Sequence, residues 1–467
     1  MKIVLFGTGS TAENIKKQIN GTVDIIAVTD NNKDKWGTPW YGHKVIAPKL
    51  LHEINYDCIL ICSMYTFEII EGLLEIGIKR DKIVPYFDNV NWQKKYKEQT
   101  KIDKEVRSII LGENKSRKIS LITRRNSGCN SLALYKNLRN TIQQEFDVSL
   151  VNLEEYKKNW EEYEIAFSTH MEGRMYKNRI NIESWHGFPL KSLGVHEKNS
   201  VDNIENADKG IDYILSYSHL YSYIMSSVYK IDISKFINTG MPRNDLLINE
   251  NSRNLLSSIL NREIDTKKVF FYVPTFRKRI NKNVNEGVSV ISDYHEFEIL
   301  DNFLQESNSF LVIKKHPVEE EGFKENIFKN ILFMTDNDLS EHNIDFYEIL
   351  GGSDLLITDY SSVYFDYLLL NRPIIFWTKD QDKYERERGF LFDHPETMMP
   401  GPIVKNVEGV IKAINKFLDK INWYSAERSK IKKMIHKYDD FNSSERVWDL
   451  ILSIYKEGSQ EVKTAGE

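Results

Sequence analysis

Apolar and polar positions alternate along this chain in short blocks of two kinds. Runs such as KIVLF at 2–6, DIIAVT at 24–29 and DCILICS at 57–63 are almost wholly apolar and rich in β-branched residues. They read as strands buried on both faces. The stretches between them carry apolar residues at helical spacing. Strand and helix in strict alternation predict parallel βαβ units, and hence an α/β fold.

The first block covers residues 1–90, with strands at Lys2–Phe6, Asp24–Thr29 and Asp57–Cys62. Residues 91–116 are polar and helical, a connector with a solvated, charged face. Alternation resumes with strands at Lys118–Thr123, Asp147–Val151 and Ile165–Ser168, a helix at Ser131–Glu145 and a helical passage near Leu215–Tyr229. A second set places strands at Val269–Val273, Phe310–Ile313, Ile331–Phe333, Leu355–Thr358 and Pro373–Trp377, with helices at 294–307, 345–351 and from Ser361. The expected division is 1–90, 91–116, 117–245, 246–458 and a polar tail at 459–467. Two successive α/β halves imply a cleft, with ligands at the carboxyl ends of the strands.

Composition narrows the class. Hydrophobic residues make up 41% of the 467 and charged residues 28%, which excludes disordered and fibrous chains. Lys plus Arg number 63 against 68 Asp plus Glu, a net charge of −5, so nucleic acid is not an expected partner. No apolar run approaches the roughly 18 residues of a membrane-spanning helix. The short apolar run at the N-terminus lacks a small-residue cleavage site and reads as a strand rather than a secretion signal. Three cysteines, Cys58, Cys62 and Cys129, cannot form a disulfide framework and point to a reducing compartment. Cys58 and Cys62 share an apolar strand and are expected to be packed thiols rather than metal ligands; no metal site is expected.

The chemistry-bearing residues fall at predicted strand ends. Gly7-Thr8-Gly9-Ser10-Thr11-Ala12 has the Gly-x-Gly-x-x-Ala spacing that lets backbone amides approach a pyrophosphate, and Asp30 ends the next strand, where it could hold a ribose. The alternative is that these glycines serve the turn alone. Trp185-His186-Gly187-Phe188-Pro189-Leu190-Lys191 presents a histidine in a turn stiffened by Pro, suited to taking a proton from a hydroxyl. Val273-Pro274-Thr275-Phe276-Arg277 and Lys314-Lys315-His316-Pro317 end two more strands with cations, which suggests an anionic substrate. Asp359-Tyr360-Ser361-Ser362 leads into a helix whose amides and hydroxyls could hold a diphosphate, with Asp366 one turn along and Arg388 after the next strand. Ser361 has a second reading as a plain N-cap, and so does Asp245.

Read together, SWHGFPLKSLG, NTGMPRNDLL, FYVPTFR, LVIKKHP, DLLITDYSSVYFDY, the Tyr384–Phe392 stretch and Pro400-Gly401-Pro402 resemble the CDP-glycerol glycerophosphotransferases of teichoic acid and capsule synthesis. The resemblance covers about three-quarters of the chain, from Lys118 to Tyr455. It implies a GT-B-like pair of Rossmann-type halves, and transfer of a polyol phosphate from CDP-glycerol or a similar CDP-alcohol to a lipid-linked acceptor, with release of CMP. It implies no separate cofactor, and a peripheral position on the inner face of the cytoplasmic membrane. His186 would be the general base, and His316 would assist at the donor diphosphate. Arg277, Ser361, Ser362 and Arg388 would neutralise phosphate, with Thr275 and Asp359 in the donor site and Asp366 on the ribose. Lys191, Arg243 and Asp245 would shape the acceptor side.

Two departures stand out: Phe188 and Phe441 occupy positions where the family usually has Thr and Gly. The first ninety residues are not part of the basic family module. A nucleotide-sugar glycosyltransferase on the same fold, and an NAD-dependent oxidoreductase in the first block, are the alternatives. Membrane attachment is expected through basic stretches at Tyr135–Arg139 and Arg174–Arg179. Homo-oligomer formation stays open.

Overall fold

The computed structural model of the protein describes residues 1–19, 23–63, 65–85, 117–176, 179–197, 209–275, 294–314 and 327–464. The connector at 91–116, Arg277 and His316 lie outside the described residues. The chain divides into two units, Met1–Ser116 and Arg117–Glu467.

In the first unit β1 (Lys2–Phe6), β2 (Asp24–Thr29), β3 (Pro39–Trp40), β4 (His43–Ile46), β5 (Cys58–Ile61) and β6 (Ile83–Pro85) form one sheet in the order β3-β4-β2-β1-β5-β6. Only β3–β4 is antiparallel. Strand order reverses between β1 and β5, and Gly7 sits at that reversal with φ +112°. A Cβ there would stand 2.8 Å from the Cys62 carbonyl oxygen, so the packing of this turn by itself requires glycine. Asp30 does not present a free carboxylate to a ribose. Its Oδ2 accepts from Thr8 Oγ1 at 2.7 Å and Lys35 Nζ at 2.9 Å, and its Oδ1 accepts from the Asn32 amide. Gly9 precedes the helix Ser10–Gln18 and has open space where a side chain would be. Cys58 and Cys62 are buried, and burial pushes the Cys58 thiol up to about 12.

The second unit holds two wholly parallel sheets. The first has β7 (Arg117–Thr123), β8 (Phe146–Asn152), β9 (Ile165–Ser168), β10 (Ile180–Glu183), β11 (Tyr213–Ser216) and β12 (Phe236–Asn238) in the order β12-β11-β10-β9-β7-β8. The second has β13 (Lys268–Val273), β14 (Ser309–Lys314), β15 (Ile331–Met334), β16 (Leu355–Thr358), β17 (Ile374–Trp377) and β18 (Ile403–Val404) in the order β15-β14-β13-β16-β17-β18. One apolar core runs through both halves, from Ile119 and Phe167 to Val312 and Ile374.

Three corrections to the sequence reading follow. The passage near Leu215–Tyr229 is a strand ending at Ser216, then a helix, His219–Tyr229, capped by the Ser218 side chain. The helix expected over Ser131–Glu145 is two, Asn130–Lys136 and Asn140–Glu145; Asn137 turns its amide onto the Ala133 carbonyl at 2.9 Å and ends the first. Residues 459–464 are helical rather than tail, closing the helix Ser443–Thr464. That helix returns to the first half instead of ending the second. Trp448 Nε1 donates to the Asn137 carbonyl, Arg139 pairs with Glu445 and Asp449, and the Arg117 guanidinium lies 3.5 Å over Tyr455. Of the described cations in the two basic stretches, Arg139 is engaged as above, Lys136 pairs with Glu348 and Arg179 lies against Trp160. Among the described residues no helix is long and apolar enough to cross a membrane.

Candidate active site

In each sheet of the second unit the strand order reverses once, between β7 and β9 and between β13 and β16. Such points open a crevice at the carboxyl ends of the strands. Each is bridged by a carboxylate. In the second half the buried Asp359 accepts from the Thr275 amide (2.9 and 3.0 Å) and from Thr275 Oγ1 (2.6 Å). In the first half Glu172 accepts from Arg124 Nε at 2.6 Å and from the His170 amide at 2.7 Å. The halves meet at these ends: the Gly128 and Cys129 amides donate to Asp345, and the Phe346 amide donates to the Asn126 carbonyl. Burial lifts the Asp345 carboxyl to about 6.

His186 follows β10 in a loop of unusual backbone geometry. Trp185 has φ +57° and Gly187 φ +149°, and a Cβ on Gly187 would stand 2.6 Å from Ser362 Oγ. The loop therefore lies against the Ser361–Ser362 turn of the other half. His186 is stacked between two rings, Trp185 and His170, with centroids 4.3 Å away in each case. Its Nδ1 lies 3.2 Å from the Thr169 carbonyl oxygen, so Nδ1 carries the proton and Nε2 keeps the lone pair. Desolvation by the surrounding protein, then His170, Arg243 and Lys191, hold its pKa below the ordinary histidine value against the opposing pull of the Thr169 carbonyl. His170 is lowered likewise, by burial and then Arg124, Arg125 and Arg243.

Glu183, which ends β10, holds both histidine loops. Its Oε2 accepts from Ser168 Oγ at 2.6 Å and the Met171 amide at 2.7 Å; its Oε1 accepts from the Trp185 amide at 2.6 Å. Met171 and Trp185 are both left-handed, at φ +61° and +57°, so this carboxylate pins the two strained residues flanking the stacked imidazoles. Burial raises Glu183 to about 7. Glu183→Gln places an amide N–H against one of those backbone donors. Expected is a loss of about 1–3 kcal/mol by denaturant unfolding, with activity falling alongside it.

Beneath the cleft, Arg243 ties the halves. It donates to the His186 and Gly128 carbonyls and to Tyr217 Oη, and pairs with Asp366 at 2.5 Å. Asp366 is fully buried and also accepts from Tyr347 Oη at 2.7 Å. Its assignment to a ribose is therefore corrected: the side chain anchors an ion pair below the cleft floor. Asp245 caps the helix Ser443–Thr464, accepting from the Ser443 and Ser444 amides at 2.9 and 2.6 Å. Ser361 and Ser362 precede a helix that starts at Val363 and runs only to Tyr367, with no capping bond from Ser362. Arg388 pairs with Glu197 at 2.6 Å, and Lys191 bridges to Phe390, stitching the His186 loop to the second half. Lys314, expected to face an anion, is buried on Asp336 at 2.5 Å. Phe188 packs 4.6 Å from Phe365, buried within the core.

The residues missed in the sequence are Arg124, Arg125, His170 and Glu183. Each follows or ends a strand, and that signal was available for Arg124 and Arg125, directly after the predicted Lys118–Thr123. His170 offers the same signal, two residues after the expected strand Ile165–Ser168, whereas Glu183 ends β10, which no unbroken apolar run marks.

Two facing Rossmann-type sheets, with a neutral histidine and cations gathered at their carboxyl ends, define a group-transfer enzyme acting on an anionic substrate. Residues 164–453 match the family described as CDP-Glycerol:Poly(glycerophosphate) glycerophosphotransferase, and residues 1–84 match the domain described as C2185-like, N-terminal. A teichoic acid glycerol-phosphate transferase of Staphylococcus aureus is 30% identical over 58% of this chain and 70% of its own length. A teichoic acid poly(glycerol phosphate) polymerase of Bacillus spizizenii is 33% identical over 51% of this chain and 62% of its own. The wall teichoic acid polymerase TagF superposes with a TM-score of 0.60 at 25% identity, covering 73% of this chain and 90% of that one; a variant of it has been soaked with CDPG. The chain belongs to the CDP-glycerol:poly(glycerophosphate) glycerophosphotransferase family.

Proposed function

We propose that the protein transfers glycerol phosphate, or a related polyol phosphate, from a CDP-activated donor to a hydroxyl of a lipid-linked teichoic acid or capsule-type acceptor. The carrying observation is the His186 environment: a neutral imidazole whose Nδ1 is committed to the Thr169 carbonyl, leaving Nε2 as a proton acceptor. In this reading Nε2 takes the acceptor hydroxyl proton as the oxygen attacks the polyol-bearing phosphorus. The bond to the cytidylyl phosphate breaks and CMP leaves with its electron pair. His186 then releases its proton to solvent. The chain supplies positioning and charge, which dominate phosphoryl transfer.

Donor contacts are proposed for Ser361, Ser362, Arg388 and the Asp359–Thr275 bridge, with Arg277 and His316 at the diphosphate. The work is placed at the inner membrane face, where lipid-linked acceptors are reached by surface contact. The test is a panel of CDP-glycerol, CDP-ribitol and UDP-sugars offered to purified protein with membrane acceptor. CMP release from a CDP-polyol alone is expected; UDP release with no CMP would reject the reading.

A further inference from the structure

We infer that Arg124 and Arg125, with the open edge of His170, form a recognition subsite for a phosphodiester beside the base, and that its ligand is a phosphate already in the acceptor chain. This rests on the transferase reading above and deepens it.

Both arginines follow β7 directly, at the first half's strand-order reversal. Arg124 is held from one side only: Nε donates to the buried Glu172, while the side chain remains 44% exposed. Glu172 also receives the His170 amide, so guanidinium and imidazole share one rigid anchor. Arg125 is 53% exposed, and the carboxylate nearest it, Asp336 at 3.9 Å, is already paired with Lys314 at 2.5 Å. Both arginines act electrostatically on His170, which is stacked on His186. Two guanidinium groups on consecutive residues, both reached from solvent, suit the oxygens of a phosphodiester, which Arg binds in a fork.

The placement chooses between two sources of phosphate. The donor diphosphate is assigned to the second half, around Ser361–Ser362. Both arginines are carried by the first half and act on His170, the ring stacked on the base, and in this proposal the acceptor enters from that side. A phosphate-bearing acceptor would be held there with its terminal hydroxyl toward His186 Nε2. The subsite thus favours extension of an existing polyol-phosphate chain over addition of a first unit.

The experiment uses the full-length protein with Arg125→Ala and Arg125→Glu, which leave the Arg124–Glu172 anchor intact. Binding of a short oligo(glycerol phosphate) is measured by calorimetry at two salt concentrations, and KM is measured for that oligomer and for CDP-glycerol. Expected is a loss of oligomer affinity of about tenfold for Arg125→Ala and more for Arg125→Glu. The wild-type salt dependence should become shallower, with the CDP-glycerol KM within about twofold. A rise in the CDP-glycerol KM with oligomer binding unchanged would assign the arginines to the donor and overturn the proposal, as would no change in either. Oligomer binding lost in the variants of a protein that never releases CMP would leave the subsite standing and remove the transferase reading. Turnover indifferent to Arg125 would do the reverse.

Discussion

Replacing His186 by Ala should cut turnover by about 10²- to 10⁴-fold while leaving donor affinity nearly unchanged, the range for loss of a general base. The imidazole is anchored through Nδ1 and packed between two rings, so its removal deletes one proton acceptor without touching the turn at Ser361–Ser362. The pH profile carries a second expectation. A base works in its neutral form, and burial, His170, Arg243 and Lys191 lower the pKa of His186. It therefore stays deprotonated as pH falls through the ordinary histidine value of about 6.5, so kcat/KM should hold level to that pH and drop only below it. An alanine variant retaining more than a tenth of wild-type turnover would remove His186 from the chemistry.

Breaking the Arg243–Asp366 pair should have the largest effect on stability. The arginine is 4% exposed and the aspartate not at all. Burial works against the arginine's charge, but Asp366, Tyr217 and Tyr347 outweigh it and hold its pKa above the usual value. Arg243→Met leaves the buried Asp366 without its cation, at a cost of about 3–5 kcal/mol in chemical denaturation. Adding Asp366→Asn should recover part of that loss by removing the stranded charge. Activity should stay low in both, because the His186 carbonyl keeps no guanidinium beneath it. A single variant within about 1 kcal/mol of wild type would show that the pair does not join the halves.

The α/β class and most strands of the second unit were legible because parallel strands buried on both faces leave unbroken apolar runs, such as VFFYV at 269–273 and FLVI at 310–313. β10, β11 and β12 were not legible: each is three or four residues long and carries polar residues such as Asn181, Glu183 and Asn238. The loss of β10 hid Glu183. His186 could be found because its Gly and Pro neighbours mark a fixed turn. Asp366 was misread because spacing along a helix shows which residues share a face, not whether that face meets a ligand or a buried arginine. The two departures noted in the sequence resolve differently. Phe188 fills the core, whereas Phe441 stands at φ +56°, a conformation glycine adopts without cost.

The return of the final helix to the first half sets how the cleft can move. The chain crosses between the halves on the way out, after Pro242–Ile248, and again on the way back, before Ser443. A single crossing would act as a tether and permit twisting and separation alike. Two crossings define a line, and rotation about it is the one relative motion that the chain connectivity by itself leaves open. Asp245 lies at the outgoing crossing and caps the helix that begins at the returning one, so one carboxylate clasps both strands of the hinge.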